Sequence, residues 1–325
     1  MSAKAFSPKE WKAFIATDDT LAGATGIAGT MYQLDVDSIG MPSLNVNQKL
    51  DVRSGASRTF KDEDFFQDNI MRVVEISLSG TLHNDAGHKL LLQNISGDVS
   101  GDVAITTGAV SQKYGVAVTD TASSLTFVMK PSDVTDQKGM EFFGCVVTSF
   151  SITAEAGTDG GQYKWSATLQ TGKKPDLTNA TAIGTETAYA NTTIPKLSAS
   201  TGHKVFNASV IMSSFTTAIE SPAVFTGVAS DGYQVVSRGA EIAVTVDTQV
   251  KYDDNTDEFI SVFDNQSAAN TTNTFLIVNS ANFGVHIDNG VFTNVALSEG
   301  DLMMLDCSMK SVDDGTDPLV TFDIA

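Results

Sequence analysis

Histidine and cysteine are the residue types in this chain that are best suited to acid-base or metal chemistry. The four histidines are His83, His88, His203 and His286. None of them lies at the spacing from a cysteine or a carboxylate that metal sites use. The two cysteines, Cys145 and Cys307, are too few for a disulfide framework, so we expect two free, buried thiols in a reducing compartment. We therefore expect neither a metal nor a cofactor.

Two short segments superficially match ligand-binding loops. Gly23–Gly29 is glycine-rich, but it lacks the G-x-G-x-x-G spacing of a dinucleotide loop. Asp35–Gly40 resembles the start of a calcium loop, but Ile39 occupies a ligand position and Val46 stands where the closing Glu should be. The sequence also contains no nucleophile elbow, phosphate-binding loop or paired-acid motif. It thus predicts that the protein is not an enzyme.

Length and charge limit what this protein can be. The chain has 325 residues, enough for two domains, and 42% hydrophobic residues, enough for packed cores. Its formal net charge of −19 argues against binding nucleic acid by phosphate neutralisation and against docking to anionic membranes. No apolar run reaches transmembrane length, and the N-terminus shows no signal-peptide core. We expect folding in a cytoplasm, without a membrane partner.

The elements that would position any site occur twice in the sequence. Glu75–Leu82 and Glu241–Val250 are alternating strands, and each is followed by a turn and a short amphipathic helix. Trp165–Gln170 and Leu305–Lys310 are alternating strands that close the two copies. This order predicts a duplicated domain. Chance similarity between the strands of an all-β chain is the alternative.

Further landmarks define the predicted domain organisation. A Phe-Gly pair opens a strand in each copy, at Phe143-Gly144 and Phe283-Gly284. We predict a mainly β fold with two tandem β-sandwich or partial-barrel domains, each with one short flanking α-helix. The predicted segments are an N-terminal arm with a short helical stretch at 1–30, a first domain at 31–172, a linker at 173–200 and a second domain at 201–325, with the helices near 86–95 and 257–267.

Alternation along three of these strands predicts which side chains leave the core. Successive side chains of a strand point to opposite faces, so one face should be apolar and the other polar. The side chains predicted to point outward are Glu75, Ser77, Ser79, Thr81, Lys164, Ser166, Thr168, Gln170, Glu241, Thr245, Asp247 and Gln249. Most of them are small hydroxyl groups or carboxylates.

One long polar loop carries aromatic residues. Arg53–Asn69 is charged, and Phe60, Phe65 and Phe66 interrupt it. Long loops in compact domains are uncommon and usually functional. The composition predicts that this loop docks onto another surface, and packing over its own domain is the alternative.

Three short motifs lie within Phe142–Gly172. They are Phe143-Gly144-Cys145 at a strand entry, Glu155-Ala156-Gly157 at a turn and Thr171-Gly172 at a strand end. This pattern of about 30 residues resembles the tail tube proteins of tailed bacteriophages. The second copy departs from it, since Val285 replaces the cysteine. Its assignment therefore depends on the order and spacing of its elements.

The resemblance implies domains of tail-tube type that join edge to edge into rings, and rings that stack into a tube for viral DNA. Family members with one domain form hexameric rings, so a duplicated member would need three chains. The outward side chains would line the lumen, past which DNA moves without specific binding, and the aromatic loop would contact the next ring.

The resemblance also implies partners and a location. The chain would assemble with itself and contact tape measure, tail terminator and distal tail proteins. It would assemble in the host bacterial cytoplasm and reside in the virion tail. The alternatives are another virion β-protein, such as a capsid decoration or tail-terminator protein, and a β-sandwich module that binds carbohydrate or cell surfaces.

Overall fold

The protein is mainly β, which confirms the predicted fold class. The computed structural model describes residues 10–17, 30–40, 48–50, 65–67, 73–83, 85–96, 112–116, 124–131, 138–173, 175–179, 183–189, 194–197, 202–229, 232–238, 241–257, 259–260, 274–280, 283–299, 302–315 and 317–324. Most of the predicted helix at 257–267 lies outside these ranges. Of its described residues, Phe259 and Ile260 pack on the core.

The described secondary structure comprises twenty-three strands, the helix α1, Ala86–Ser96, and a short 3₁₀ helix, Asp159–Gly161. The strands are β1 Trp11–Thr17, β2 Thr30–Leu34, β3 Ser38–Gly40, β4 Gln48–Leu50, β5 Phe65–Gln67, β6 Val74–Thr81, β7 Gln112–Val116, β8 Leu125–Pro131, β9 Lys138–Glu155, β10 Lys164–Thr171, β11 Asp176–Asn179, β12 Thr185–Thr187, β13 Lys204–Val205, β14 Ala208–Ser209, β15 Met212–Glu220, β16 Ala223–Ala229, β17 Gly232–Arg238, β18 Ala243–Lys251, β19 Phe275–Ser280, β20 Phe283–Ile287, β21 Gly290–Ser298, β22 Met304–Ser311 and β23 Val320–Ile324.

Helix α1 forms where the sequence predicts it. Asp85 is its N-cap, and its Oδ1 accepts a hydrogen bond from the backbone N–H of His88 at 3.0 Å. Leu91, Leu92 and Ile95 form the buried face of the helix. The capped start and the apolar stripe are local signals, which explains why this helix could be predicted.

The predicted helical stretch at the N-terminus is wrong, because Trp11–Thr17 forms β1. This strand lies between β2 and β8 and is buried on both faces. Ala13 and Ile15 pack in the main core, whereas Phe14 and Ala16 pack with Ile183 on the other side. A strand buried on both faces is a continuous apolar run without alternation, which a helix pattern can imitate.

A central antiparallel sheet runs through both halves of the chain. Its strand order is β3-β6-β10-β9-β15-β18-β22-β21. We call β3, β6, β10 and the C-terminal half of β9 the first quartet, and β15, β18, β22 and β21 the second quartet. The two quartets meet where β9 pairs with β15, from Ser149 opposite Glu220 to Glu155 opposite Ser214.

Strand β9 bends and so belongs to two layers. It has 18 residues; its first half pairs with β8 and β11, and its second half with β10 and β15. Gly144 at the bend has a φ of 61°, which glycine adopts without a Cβ clash. The predicted strand start at Phe143-Gly144 is therefore wrong, because this pair lies inside a strand. Phe283-Gly284 does open β20.

The remaining large sheets form an outer layer. One part has the order β12-β2-β1-β8-β9-β11, and the other part is a separate sheet, β14-β13-β19-β20-β23-β7. β7 lies within the predicted first domain but pairs with β23 at the end of the chain. β11 and β12 come from the predicted linker and pair with β9 and β2. Strand pairing thus crosses the predicted domain boundaries, which stay a prediction.

The two halves of the chain have the same pairing order. β13 pairs with β14 and β19 as β1 pairs with β2 and β8. β20 pairs with β19 and β23 as the first half of β9 pairs with β8 and β11. The quartets repeat one strand order, and the hairpins β4–β5 and β16–β17 each follow the first strand of a quartet. Among the described residues, β7 and β12 have no counterpart in the other half of the chain.

One hydrophobic core connects the layers. The ring of Tyr163 meets the rings of Phe215 and Phe283 edge to face, at centroid distances of 5.3 and 5.8 Å. Phe215 belongs to the central sheet and Phe283 to the separate outer sheet, so these contacts hold the two together. Cys145 and Cys307 are both buried and neither forms a disulfide, as predicted. Burial and the neighbouring Asp306 raise the pKa of Cys307 to about 12.

Candidate functional site

The predicted outward side chains lie on one face of the central sheet, which we call the polar face. The strand register aligns residues from different segments in rows across this face. One row runs through Ser79, Ser166, Ser151, Ala218 and Thr245. The structure thus brings together residues of β6, β10 and β18, which are far apart in the sequence.

Three further strands, β9, β15 and β22, complete this face, and their outward residues were not among those predicted. These strands contribute Ser149, Ser151, Thr153, Glu155, Ser214, Thr216, Ala218, Glu220, Asp306, Ser308 and Lys310. The same alternation marks these strands, so their outward residues could have been found once the sheet order was known. Hydroxyl groups predominate, and the hydroxyls of Ser151 and Ser166 hydrogen-bond across β9 and β10 at 2.8 Å.

Exposure along the polar face agrees with most of the prediction. Glu75, Ser77, Ser166, Thr245 and Asp247 are exposed, and Ser79, Lys164, Thr168, Gln170 and Gln249 are partly buried. Thr81 is a correction, because its side chain is buried. Lys164 Nζ donates to Thr81 Oγ1 at 2.9 Å and so covers it. Glu241 is exposed but precedes β18, so it flanks the strand instead of lying in it.

The lysines of the polar face have carboxylate partners. Lys164 Nζ lies 3.6 Å from Asp37 Oδ2 and 3.9 Å from Asp159 Oδ2. These two carboxylates therefore compensate the charge of Lys164. The other pairs are Lys310 with Glu241, at 2.8 Å, and Lys251 with Asp253, at 3.7 Å. The hydrogen bond from Lys310 lowers the pKa of Glu241.

Acidic groups outnumber basic groups among the described residues of this face. The carboxylates are Glu75, Glu155, Glu220, Asp247 and Asp306, and the ammonium groups are Lys164, Lys251 and Lys310. Neutral side chains donate hydrogen bonds to four of these carboxylates. Gln170 Nε2 donates to Glu75 Oε2 at 3.2 Å and Ser308 Oγ donates to Asp247 Oδ1 at 2.6 Å. Gln249 Nε2 donates to Asp306 Oδ1 and Thr158 Oγ1 donates to Glu155 Oε2, both at 2.8 Å. Such a face repels a polyanion that comes within the Debye length, about 8 Å at physiological salt.

The outermost strands of the central sheet, β3 and β21, have no further strand beside them within the described ranges. Leu297 on β21 is 50% exposed, although Leu305 opposite it on β22 is fully buried. Leu302 and Met303, between β21 and β22, are exposed as well. Unpaired backbone groups beside apolar side chains favour the addition of another strand.

Two His–Asp pairs that the sequence did not predict lie on the core side of the first quartet, and of their four side chains only that of Asp35 is partly exposed. His83 Nε2 lies 2.6 Å from Asp35 Oδ2, and His88 Nδ1 lies 2.9 Å from Asp85 Oδ1. The His88 ring also meets Trp165 edge to face, with centroids 5.0 Å apart. The part of the chain that the structure describes contains no group of three side chains placed to bind a metal. We interpret the cluster as support for the start of α1.

The predicted docking loop is described only in part. Phe65 and Phe66 lie in β5, which pairs with β4, and Phe60 lies outside the described residues. The inter-ring role of these three aromatics stays a prediction.

Comparison with known proteins leaves the function open. The chain matches no protein-family model, and no curated protein matches it. Within the described ranges, no helix has the length and apolar character needed to cross a bilayer.

Proposed function

We propose that this protein is the structural subunit of a bacteriophage tail tube, built from a duplicated domain. The repeated pairing order supports the duplication, since each half of the chain contributes one quartet to the central sheet. Under this proposal the chain has no catalytic role. It would contact the tape measure, tail terminator and distal tail proteins, and it would reside in the virion tail.

Two β-bulges at the same point of the two quartets also support the duplication. Thr148 is an extra residue of β9 opposite the Thr168–Leu169 step of β10. Thr293 is an extra residue of β21 opposite the Ser308–Met309 step of β22. When Trp165–Gln170 is aligned with Leu305–Lys310 in the sequence, the Thr168–Leu169 step coincides with the Ser308–Met309 step. Bulges are conserved within families because they set the local twist, so this coincidence favours a common origin.

The observation that carries the ring proposal is the pairing of β9 with β15. It joins the last strand of one quartet to the first strand of the next. Within the described ranges, the strands that remain open are the last strand of the second quartet, β21, and the first strand of the first quartet, β3. Repeating the same pairing between chains joins β21 to β3 of a second copy.

A heterologous contact of this kind gives a ring when its rotation closes, and a closed sheet has no free edge. Three chains would supply six quartets, as many as the domains in the hexameric rings of tail tube proteins with one domain. The ring would thus use one kind of joint six times, three times within chains and three times between them.

The number of strands in each of the two layers supports an orientation in which the polar face lines the lumen. The outer sheets and α1 pack on the core side of the central sheet. In a closed ring the layer with more strands needs the larger circumference, so it lies outside. The face that remains carries small hydroxyls, paired lysines and surplus carboxylates. DNA would therefore pass it without strong binding, because few free cations are present to hold phosphate.

A crosslink tests the joint between chains at a specific register. Thr153 lies opposite Thr216 in the β9–β15 pair. The repeated pairing makes Ser298 the counterpart of Thr153, and Gly40 the counterpart of Thr216. A chain with Gly40→Cys and Ser298→Cys should form disulfides between chains, because directly opposed residues of antiparallel strands have the required Cα separation.

The matched control for that experiment is Thr153→Cys with Thr216→Cys, which should form a disulfide within one chain. Non-reducing gels of the test variant should show species of up to three chains and none larger. Larger species would contradict the trimer, and the absence of bonds between chains would overturn the joint. Electron microscopy should show rings and tubes. Monomers at all concentrations would instead favour a binding module.

A further inference from the structure

The hairpin β16–β17 covers one valine at the end of the polar face. Val146 pairs with Gln170, and its side chain faces away from the main core, unlike that of its neighbour Val147. Val146 is nevertheless fully buried, because Phe225 of β16 packs on it. Ala223 adds a second apolar contact, and β17 lies against β9 and β10.

This contact belongs to the joint between the quartets. β15 pairs with β9, and the chain then continues directly into β16. The backbone N–H of Ser221 donates to the carbonyl of the bulge residue Thr148 at 2.8 Å, which fixes the point where the hairpin leaves the sheet. The hairpin of the second quartet thus reaches back over the last strands of the first quartet.

The second quartet has the same valine without the cover. Val291 pairs with Lys310 as Val146 pairs with Gln170, two residues before the bulge in each case. Val291 is only partly buried. In the described part of the chain, no hairpin lies over it. The hairpin that corresponds to β16–β17 is β4–β5, which follows β3 at the opposite edge of the central sheet.

We propose that the β4–β5 hairpin of one chain docks over Val291 on β21 of a second copy of this chain. This inference rests on the proposed ring, in which β3 of the second copy lies beside β21. The occupant follows from continuity with the contact inside the chain, where the hairpin after the first strand of a quartet covers the preceding quartet. The hairpin sequence supplies apolar groups for this contact at Leu50, Phe65 and Phe66.

Under this proposal, different parts of the segment from β4 to β5 make different contacts. The paired base of the hairpin would act within a ring. The connection between Leu50 and Phe65 would remain available to reach the next ring along the tube. The two contacts can therefore be separated by experiment.

Photocrosslinking tests the docking. Phe65 and Phe66 are replaced, one at a time, by p-benzoylphenylalanine, since adjacent residues of a strand face opposite ways. Assembly from equal amounts of light and ¹⁵N-labelled chains distinguishes bonds within a chain from bonds between chains. We expect one of the two variants to crosslink to the β21 peptide of another chain. The matched control, the same replacement at Phe225, should crosslink to the β9 peptide of its own chain.

Each outcome decides the proposal. Rings that form without a crosslink to β21, or with crosslinks only to the own chain or to a neighbouring ring, overturn the docking and leave the tube proposal standing. Failure to form any ring overturns both. As a second readout, Val291→Ser should raise the concentration at which rings form about tenfold, which is the loss expected for one buried apolar side chain. Thr245→Ser, an exposed change on the same face, should leave it unchanged.

Discussion

Ile152 and Leu297 occupy the same position in the two quartets, yet Ile152 is fully buried and Leu297 is 50% exposed. Ile152 lies opposite Trp165, three residues after Ser149, the first paired residue that follows the bulge of β9. Leu297 lies opposite Leu305, three residues after Asn294, the first paired residue that follows the bulge of β21. The two exposures differ because β15 pairs with β9 beside Ile152, whereas no strand of the described ranges pairs with the free edge of β21. A strand placed beside β21 would bury Leu297 in the same way.

Leu297→Ala should therefore weaken ring assembly while leaving the stability of the monomer nearly unchanged. The matched change Ile152→Ala should reduce the free energy of unfolding of the monomer by about 2–5 kcal/mol, because it opens a cavity in a filled core. Denaturant unfolding measures the free energy of unfolding of the monomer, and light scattering of the assembled protein measures ring assembly. Equal destabilisation of the monomer by both variants would contradict the equivalence of the two sites.

Alternation and capping are the signals that made part of this fold predictable. Glu75 and Ser77 face out and Ile76 faces in, because a period of two is a property of the strand alone. The start of α1 at Asp85 is also a local signal, because the capping interaction lies within one helical turn. In the recognised strands this alternation predicted the exposed residues of the polar face, but not the burial of Thr81, which depends on the covering side chain of Lys164.

Pairing between distant segments could not be predicted in the same way. β1 is buried on both sides, so it shows no alternation, and β7 leaves its own half of the chain to pair with β23. The contact between His83 and Asp35 joins residues 48 positions apart. The sequence alignment of Glu75 with Glu241 also differs from the strand register, in which Thr245 corresponds to Glu75. Each of these depends on tertiary packing.

Asp85 should make stability depend on acid pH. Burial raises the pKa of Asp85, but its hydrogen bonds and charge interaction with His88 outweigh this, so the pKa lies below the usual value of 3.8. Because the folded pKa is the lower one, the stabilisation is complete above the unfolded pKa and is lost as the pH falls through the folded pKa. In urea unfolding from pH 6 to pH 2.5, Asp85→Asn should flatten this decline while keeping a capping side chain. The exposed change Glu299→Gln should not, and equal slopes for all three proteins would contradict the assignment.

Shortening the connection between β4 and β5 should separate ring formation from tube growth. Replacing residues 53–62 with a short Gly-Ser link removes Phe60 and keeps Phe65 and Phe66. We expect rings but no long tubes in electron micrographs. Removing the whole hairpin, residues 48–67, should weaken the rings as well, since it also deletes the proposed docking base. Normal tubes from the shortened variant would refute the inter-ring role of the connection.

Asp37 and Asp159 should keep Lys164 from holding DNA. Both carboxylates lie within 4 Å of its ammonium group, at 3.6 and 3.9 Å. Asp37→Asn with Asp159→Asn removes both carboxylate partners that the described residues give this cation, so assembled tubes should bind DNA more tightly at low salt. The effect on folding should be small, because exposed ion pairs contribute about 0–1 kcal/mol. Adding Lys164→Gln should reverse the gain, and a gain that persists would show that Lys164 is not its source.

The charge of the polar face should control the passage of DNA. Glu75 and Asp247 are both exposed on this face, and each accepts a hydrogen bond from a neutral side chain. Changing both to Lys should leave ring and tube assembly intact, because neither residue lies on the open strands β3 and β21. It would place new cations in the lumen, where they can hold phosphate groups, and DNA ejection should slow or stop. Glu75→Gln with Asp247→Asn removes the charge without reversing it and should have a smaller effect. Ejection at the normal rate from tubes with both lysines would place the polar face on the outer wall.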